Sequence, residues 1–162
     1  MSTITPCLWF DDNLEEAMEF WIKIFPDSSV GTVTRNGPAG PGTPGTVLAA
    51  GWTMNGMGFR GINGGPMHAR FTEAISLSVS CADQDEVDYY WDNLVAGGSP
   101  DQCAWLRDRF GLSWQIVPDR LEELLSHPDP VRAEAAMRAM LGMQKIVIAD
   151  LEAAVEAASP SA

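Results

Sequence analysis

Cysteine, histidine and basic residues are all scarce in this chain. The three cysteines, Cys7, Cys81 and Cys103, are odd in number and far apart, and no CxxC pair occurs. That excludes a disulfide framework and fits free, mostly buried thiols in a reducing compartment. The two histidines, His68 and His127, are too few for a histidine-built metal centre. Ten Lys and Arg stand against 22 Asp and Glu, a formal net charge of −12. Such a balance repels phosphate backbones and anionic lipid headgroups, so neither nucleic acid nor a membrane surface is expected as a partner. No apolar run approaches the ~18 residues of a membrane span, and the opening MSTITPCLWFDD lacks the basic and apolar stretches of a secretory signal. A cytoplasmic protein is the expectation.

What is there suits a packed α+β fold. The chain has 162 residues, 46% of them hydrophobic, with six Trp, enough for a core without staples. Ile4 to Phe10 alternates as a strand. Leu14, Ala17, Met18, Trp21, Ile24 and Phe25 then recur at helical spacing, with Asp12 expected as the cap, Glu15 as its reciprocal partner and Pro26 as the stop. Ser29 to Thr34 reads as a strand, and the Gly/Pro-rich segment 36–46 as an irregular, mobile loop. Val47–Met54 and Met57–Asn63 form a hairpin about Asn55-Gly56, a type I′ signal, which sets Trp52 opposite Phe59. A second strand-and-helix pair follows. Ile75, Leu77 and Val79 alternate with Ser76, Ser78 and Ser80, Asp83 caps with Glu86, and Val87, Tyr90, Trp91, Leu94 and Val95 make the stripe. After Gly97-Gly98 a strand is very short or absent, and Cys103–Arg107 with Leu112–Val117 makes a second hairpin.

The two halves are built alike. DDNLEEAMEFW (residues 11–21) and ADQDEVDYYW (residues 82–91) share an acidic cap, a Glu and a Trp at an offset of about 71 residues. One half buries only part of its apolar face, so the repeat implies two modules that need each other. The modules run over about 3–64 and 72–118. A tail over about 119–157 carries helices at Asp119–Ser126, after Asp129-Pro130, and at Gln144–Ala157. Val131, Ala135, Met137, Met140 and Leu141 are expected to form the apolar side of the middle helix, and the tail is expected to pack on the sheets or on a partner subunit.

These segments resemble the PhnB-like branch of the vicinal-oxygen-chelate superfamily, the branch that carries the description 3-demethylubiquinone-9 3-methyltransferase. The resemblance is carried by ITPCLWFDDNLEEAMEFW, FRGINGGP, EAISLSVSCADQDEVDYYWDNLVAGG, FGLSWQIVP and AMRAMLGMQKIVIADLEAA, from about residue 4 to 155. It implies a glyoxalase/bleomycin-resistance fold, with paired βαβββ modules forming a cup-shaped mixed sheet, usually as a homodimer. Methyl transfer itself does not follow from the sequence. No Gly-rich turn lies between a first parallel strand and a helix to cradle S-adenosylmethionine, and the glycines of 37–45 sit among prolines.

Metalloenzymes of the superfamily hold one divalent cation, with His, Glu or Gln ligands on the first and last strands of each module. Carried over, those places hold Thr5 and Pro6, Phe59 and Gly61, Ala74 and Ser76, and finally Gln115, where the metalloenzymes commonly have Glu. One amide oxygen cannot hold the ion against water, so no metal and no other cofactor is expected. Strand alternation then gives the pocket lining. Thr5, Cys7 and Trp9 face inward on the first strand, and Ser76 and Ser78 do so on its counterpart. Ser113 and Gln115 point in on the last strand, with Trp52, Phe59 and Trp105 supplying aromatic surface. Such a lining suits a small aromatic or apolar molecule fixed by a few hydrogen bonds. His68 is read as a loop residue that could reach the rim, and His127 as structural. The acidic run Asp11, Asp12, Glu15, Glu16 and Glu19 reads as a cap and a solvated helix face. Arg60 could pair a carboxylate, an edge or an ion pair being its plainer reading. A divergent metal-dependent lyase, isomerase or dioxygenase is the alternative to a metal-free binder, and a tail-mediated interaction module is a third reading.

Overall fold

The computed structural model describes residues 4–67 and 70–158; His68 lies outside the described residues. The chain forms two compact units, Met1–Arg70 and Phe71–Ala162.

The first unit runs β1 (Cys7–Phe10), α1 (Leu14–Ile24), β2 (Ser29–Arg35), β3 (Val47–Met54) and β4 (Met57–Asn63). Its sheet has the order β1-β4-β3-β2, with β1 parallel to β4 and the rest antiparallel. β1 starts later than its alternation suggests, and Ile4 is fully exposed, so only Leu8 and Phe10 of that strand face the helix. The apolar stripe of α1 is as expected: Leu14, Ala17, Met18, Trp21 and Ile24 are buried. Phe25 turns to extended backbone because Pro26 follows it.

The start of α1 differs from expectation. Neither Asp12 nor Glu15 caps it; the Leu14 N–H donates to Asn63 Oδ1 at 3.0 Å. Asn63 Nδ2 in turn donates to the Val47 carbonyl at 2.9 Å, so one side chain of β4 ties helix and sheet together. Asn55 (φ 47°) and Gly56 (φ 76°) make the hairpin turn, and Trp52 pairs with Phe59. The 36–46 segment is irregular but organised. Asn36 is buried, its Oδ1 accepts from the Gly42 N–H, and its Nδ2 donates to Thr46 Oγ1.

The second unit repeats this plan. It runs β5 (Ser76–Cys81), α2 (Gln84–Val95), β6 (Ser99–Pro100), β7 (Trp105–Arg107) and β8 (Ser113–Pro118), in the order β5-β8-β7-β6 with β5 parallel to β8. Here the acidic cap is built as expected: Asp83 Oδ1 accepts from the Glu86 N–H, and Glu86 accepts from the Ala82 N–H. Ile75 precedes the strand and is exposed rather than packed under the helix. The short strand after Gly98 is two residues long.

Three helices complete this unit: α3 (Asp119–Leu125), α4 (Pro130–Leu141) and α5 (Ile148–Ala157). They close a core of Leu121, Leu124, Ala136, Ile146, Leu151 and Val155 over Ala104. α5 begins four residues later than expected, because the chain before it serves as a docking edge. The Cys103 and Ala104 N–H groups, held at positive φ, donate to the carbonyls of Met143 and Gln144. Gln84 of α2 clamps the same segment, donating to the Ile146 carbonyl and accepting from the Ile148 N–H. Lys145 pairs with Asp88 at 2.8 Å, a contact that lowers the Asp88 carboxyl and raises the Lys145 ammonium from their ordinary values. α4 departs from its expected face: Ala136 is its buried residue, and Val131, Met137 and Leu141 are exposed. No helix of the described residues is long and apolar enough to cross a membrane.

Candidate functional site

In the first unit α1 covers one face of the sheet and leaves the other open. Alternation assigns the faces once burial is known. Leu8, Phe10, Ala50, Trp52, Met54 and Phe59 are buried, and Gly61 lies against Leu14 so closely that a Cβ there would come within 2.4 Å of it. Cys7, Gly51 and Arg60, in neighbouring register on β1, β3 and β4, therefore share the opposite face. That face forms a groove of about 870 Å³ that includes Thr5, Cys7, Thr32, Thr34, Thr53 and Arg60. Gly31 and Gly51 meet in its floor, where a Cβ on Gly31 would stand 2.8 Å from the Gly51 carbonyl oxygen. A side chain there would push β2 off β3.

Trp52 and Phe59 are among the residues that border the groove, as the sequence suggested, but their rings are buried rather than presented to it. Trp52 stacks on Trp21 of α1 with centroids 6.0 Å apart, and on Phe59 at 5.6 Å, and both Trp52 and Phe59 are only 3% exposed. They are core, because the helix needs the large apolar side chains of the hairpin beneath it. Trp9 is on the open face but is taken up elsewhere. Its indole Nε1 donates to the Gly65 carbonyl at 2.9 Å, and its ring covers Gly64 so closely that a Cβ there would clash. Thr5 and Cys7 do line the groove. Arg60 is neither on an edge strand, since β4 lies between β1 and β3, nor in an ion pair among the described residues. Thr32, Thr34 and Thr53 escaped the sequence reading, although the alternation Thr-Val-Thr in β2 is a usable signal.

In the second unit the equivalent cross-strand row is Ser78, Gln115 and Trp105. The 71-residue offset carries Cys7 onto Ser78, and the shared parallel register then carries Arg60 onto Gln115. Gln115 is half-buried and donates from Nε2 to Ser76 Oγ at 2.9 Å; Ser78 is exposed and Trp105 half-buried. Ser113 does not face an open surface, being 1% exposed, and its buried hydroxyl has no hydrogen-bond partner among the described residues. His127 is structural, its Nδ1 accepting from the Asp129 N–H.

The donor set does not fit a divalent cation. The cross-strand pairs at the middle of the open side on first and last strands are Cys7 with Arg60 in one module and Ser78 with Gln115 in the other. Phe59 and Gly61, the positions assigned from sequence, face the helix instead. A guanidinium has no lone pair to give and repels a cation. The described residues contain no group of three His, Cys, Asp or Glu side chains able to hold a metal ion.

The thiols differ sharply in accessibility. Cys7 is exposed, whereas burial, and then Glu86, Asp119 and Asp83, push the Cys81 thiol up to about 12. A raised value keeps the neutral, unreactive thiol at neutral pH. Brief alkylation of the native protein at pH 8, followed by peptide mass mapping, is expected to modify Cys7 and leave Cys81 intact until the chain is unfolded. Equal labelling of the two would contradict the placement of β1 and β5.

The sequence profile of the 3-demethylubiquinone-9 3-methyltransferase family matches residues 2–117. The chain belongs to this family. The PhnB protein from Bacillus cereus is 34% identical, with a TM-score of 0.67 over 72% of this chain and 99% of its own. PA1353 from Pseudomonas aeruginosa (19% identity, TM-score 0.56, covering 74% and 100%) shares the fold. So does the fosfomycin resistance protein FosX from Listeria monocytogenes, in its complex with Mn(II) and sulfate (15% identity, TM-score 0.51, covering 77% and 96%). No curated protein matches the chain. These relatives establish a PhnB-like member of the family, with a fold that PA1353 and FosX share. The α+β pattern of paired βαβββ modules read from the sequence holds in both units.

Proposed function

We propose that this protein binds a small organic molecule on the open face of its first sheet, without a divalent metal. The observation that carries the reading is Arg60. It is the register counterpart of Gln115, where the metalloenzymes of the fold commonly place a carboxylate ligand, and so it puts a fixed positive charge where a cation would need a donor. Around it lie short hydroxyl side chains and glycine backbone, which leave a floor that a flat ligand can approach closely. With the Trp52 and Phe59 rings buried, the threonines, glycines and Ile62 of the lining leave hydrogen bonds and shape to supply the selectivity.

Methyl transfer is not part of this reading. The turn from β1 into α1 is Asp11-Asp12-Asn13, which offers no glycine bend for a dinucleotide or S-adenosylmethionine and places carboxylates at the helix start. The test is a thermal-shift screen of chelator-treated protein against small aromatic and carboxylated metabolites. A true ligand at 100 times its Kd stabilises by about 2.7 kcal/mol, a Tm rise of about 5–10 °C for a chain of this size, and shields Cys7 from alkylation. Stabilisation that requires added Mn, Fe, Ni or Zn would overturn the reading.

A further inference from the structure

We infer that the groove on the first sheet takes a small carboxylate, gripped by the Arg60 guanidinium. This rests on the proposed function above and adds the chemical class of the ligand. β4 is an interior strand, so Arg60 stands at the middle of the sheet rather than at its border. Its register neighbours are Cys7 on one side and Gly51 on the other, short groups that neither pair with it nor cover it. The rest of the lining contributes no carboxylate: Thr5, Thr32, Thr34 and Thr53 are hydroxyls, and Ile62 is apolar.

Six of the chain's ten cationic side chains are taken up by acceptors, and Lys23, Arg60, Arg70 and Arg132 make no ion pair among the described residues; of these four, only Arg60 stands on a β-strand. With a net charge of −12, the chain pairs Arg35 with Glu15, Arg107 with Glu73, Arg120 with Glu123 and Glu152, Arg138 with Glu134, and Lys145 with Asp88 and Asp92. Arg109 spends its guanidinium on the Ala96 carbonyl. Arg60 makes no ion pair and no side-chain hydrogen bond among the described residues, although acidic groups outnumber basic ones two to one. An uncommitted guanidinium fork in a groove that glycine backbone and threonines also line matches the planar two-oxygen acceptor of a carboxylate. The acidic surface disfavours multiply charged anions at long range, which points to a monocarboxylate with an uncharged body lying toward Ile62 and the glycines.

The test is calorimetric titration of the chelator-treated full chain with benzoate, phenylacetate and indole-3-acetate, each beside its neutral amide. Wild type, Arg60→Gln and Arg60→Lys are compared at pH 7, with circular dichroism to verify folding. At least one acid is expected to bind and to protect Cys7 from alkylation, while its amide binds at least tenfold more weakly. Arg60→Gln is expected to weaken the acid about 10- to 100-fold, with Arg60→Lys intermediate because the point charge survives and the fork does not. Acids and amides binding alike, or acids binding Arg60→Gln unchanged, would overturn the carboxylate assignment and leave the small-molecule reading standing. If neither series binds wild type or shields Cys7, both fall together. If Arg60→Gln does not fold, the acid-against-amide ratio on wild type and the Arg60→Lys titration decide the matter.

Discussion

Replacing Asp108 with alanine is expected to cost about 3–5 kcal/mol of stability, the largest loss from any single polar side chain in the second unit. Asp108 is 3% exposed and sits in the turn between β7 and β8. Its Oδ1 accepts from the N–H groups of Phe110 and Leu112 at 2.9 and 3.0 Å, and its Oδ2 accepts from the Trp114 indole at 2.9 Å. Removing the carboxylate strands donors in the interior, where water cannot take over their bonds. Asn at this position keeps one oxygen but turns an amide group toward a donor, so an intermediate loss of about 1–3 kcal/mol is expected. Urea denaturation followed by tryptophan fluorescence reads both values. A loss under about 1 kcal/mol for the alanine variant would mean that the turn is solvated.

A comparable loss is expected for Trp52→Ala, about 3–5 kcal/mol, because the ring is buried between Trp21 and Phe59. Trp52→Phe is the informative companion. The indole Nε1–H of Trp52 is buried without an acceptor among the described residues, so the phenylalanine variant loses packing volume but also sheds an unsatisfied donor. The two effects oppose, and a net cost of about 0–2 kcal/mol is expected. Were the Trp52 ring exposed in the groove rather than buried, the alanine variant would lose ligand affinity and keep most of its stability. Chemical denaturation of the two variants separates these outcomes.

The burial of the Trp52 and Phe59 rings shows what a single sequence can and cannot reveal. The Asn55-Gly56 turn fixes their pairing, and the structure has that register. It does not say which face of the hairpin the helix covers. Both faces carry small residues, and the deciding signal is Arg60: a charge on one face marks it as the open one, and the aromatic pair must then lie on the other. The helical stripes of α1 and α2 were legible because periodicity is local. The α1 cap was not, because Asn63 lies 49 residues from the N–H it accepts. The late start of α5 has the same origin, since residues 143 and 144 are drawn into bonds with Cys103 and Ala104 at the far end of the unit. Trp9 obeyed the alternation that placed it on the open face, yet its ring is held down by Gly64 and Gly65, a contact that strand period does not encode. The exposed Val131, Met137 and Leu141 show the complementary limit, because composition alone cannot say which apolar positions of a short helix find a neighbour.

The chemistry around Arg60 makes one physical demand that elemental analysis can check directly. Protein expressed in rich medium and purified in metal-free buffer without any chelator step should carry well under one tenth of an equivalent of Mn, Fe, Ni, Co or Zn per chain. About one equivalent of any of these, retained through gel filtration and unaffected by Arg60→Gln, would mean that a cation is held by donors other than those facing the open sheet, and the metal-free account would be wrong.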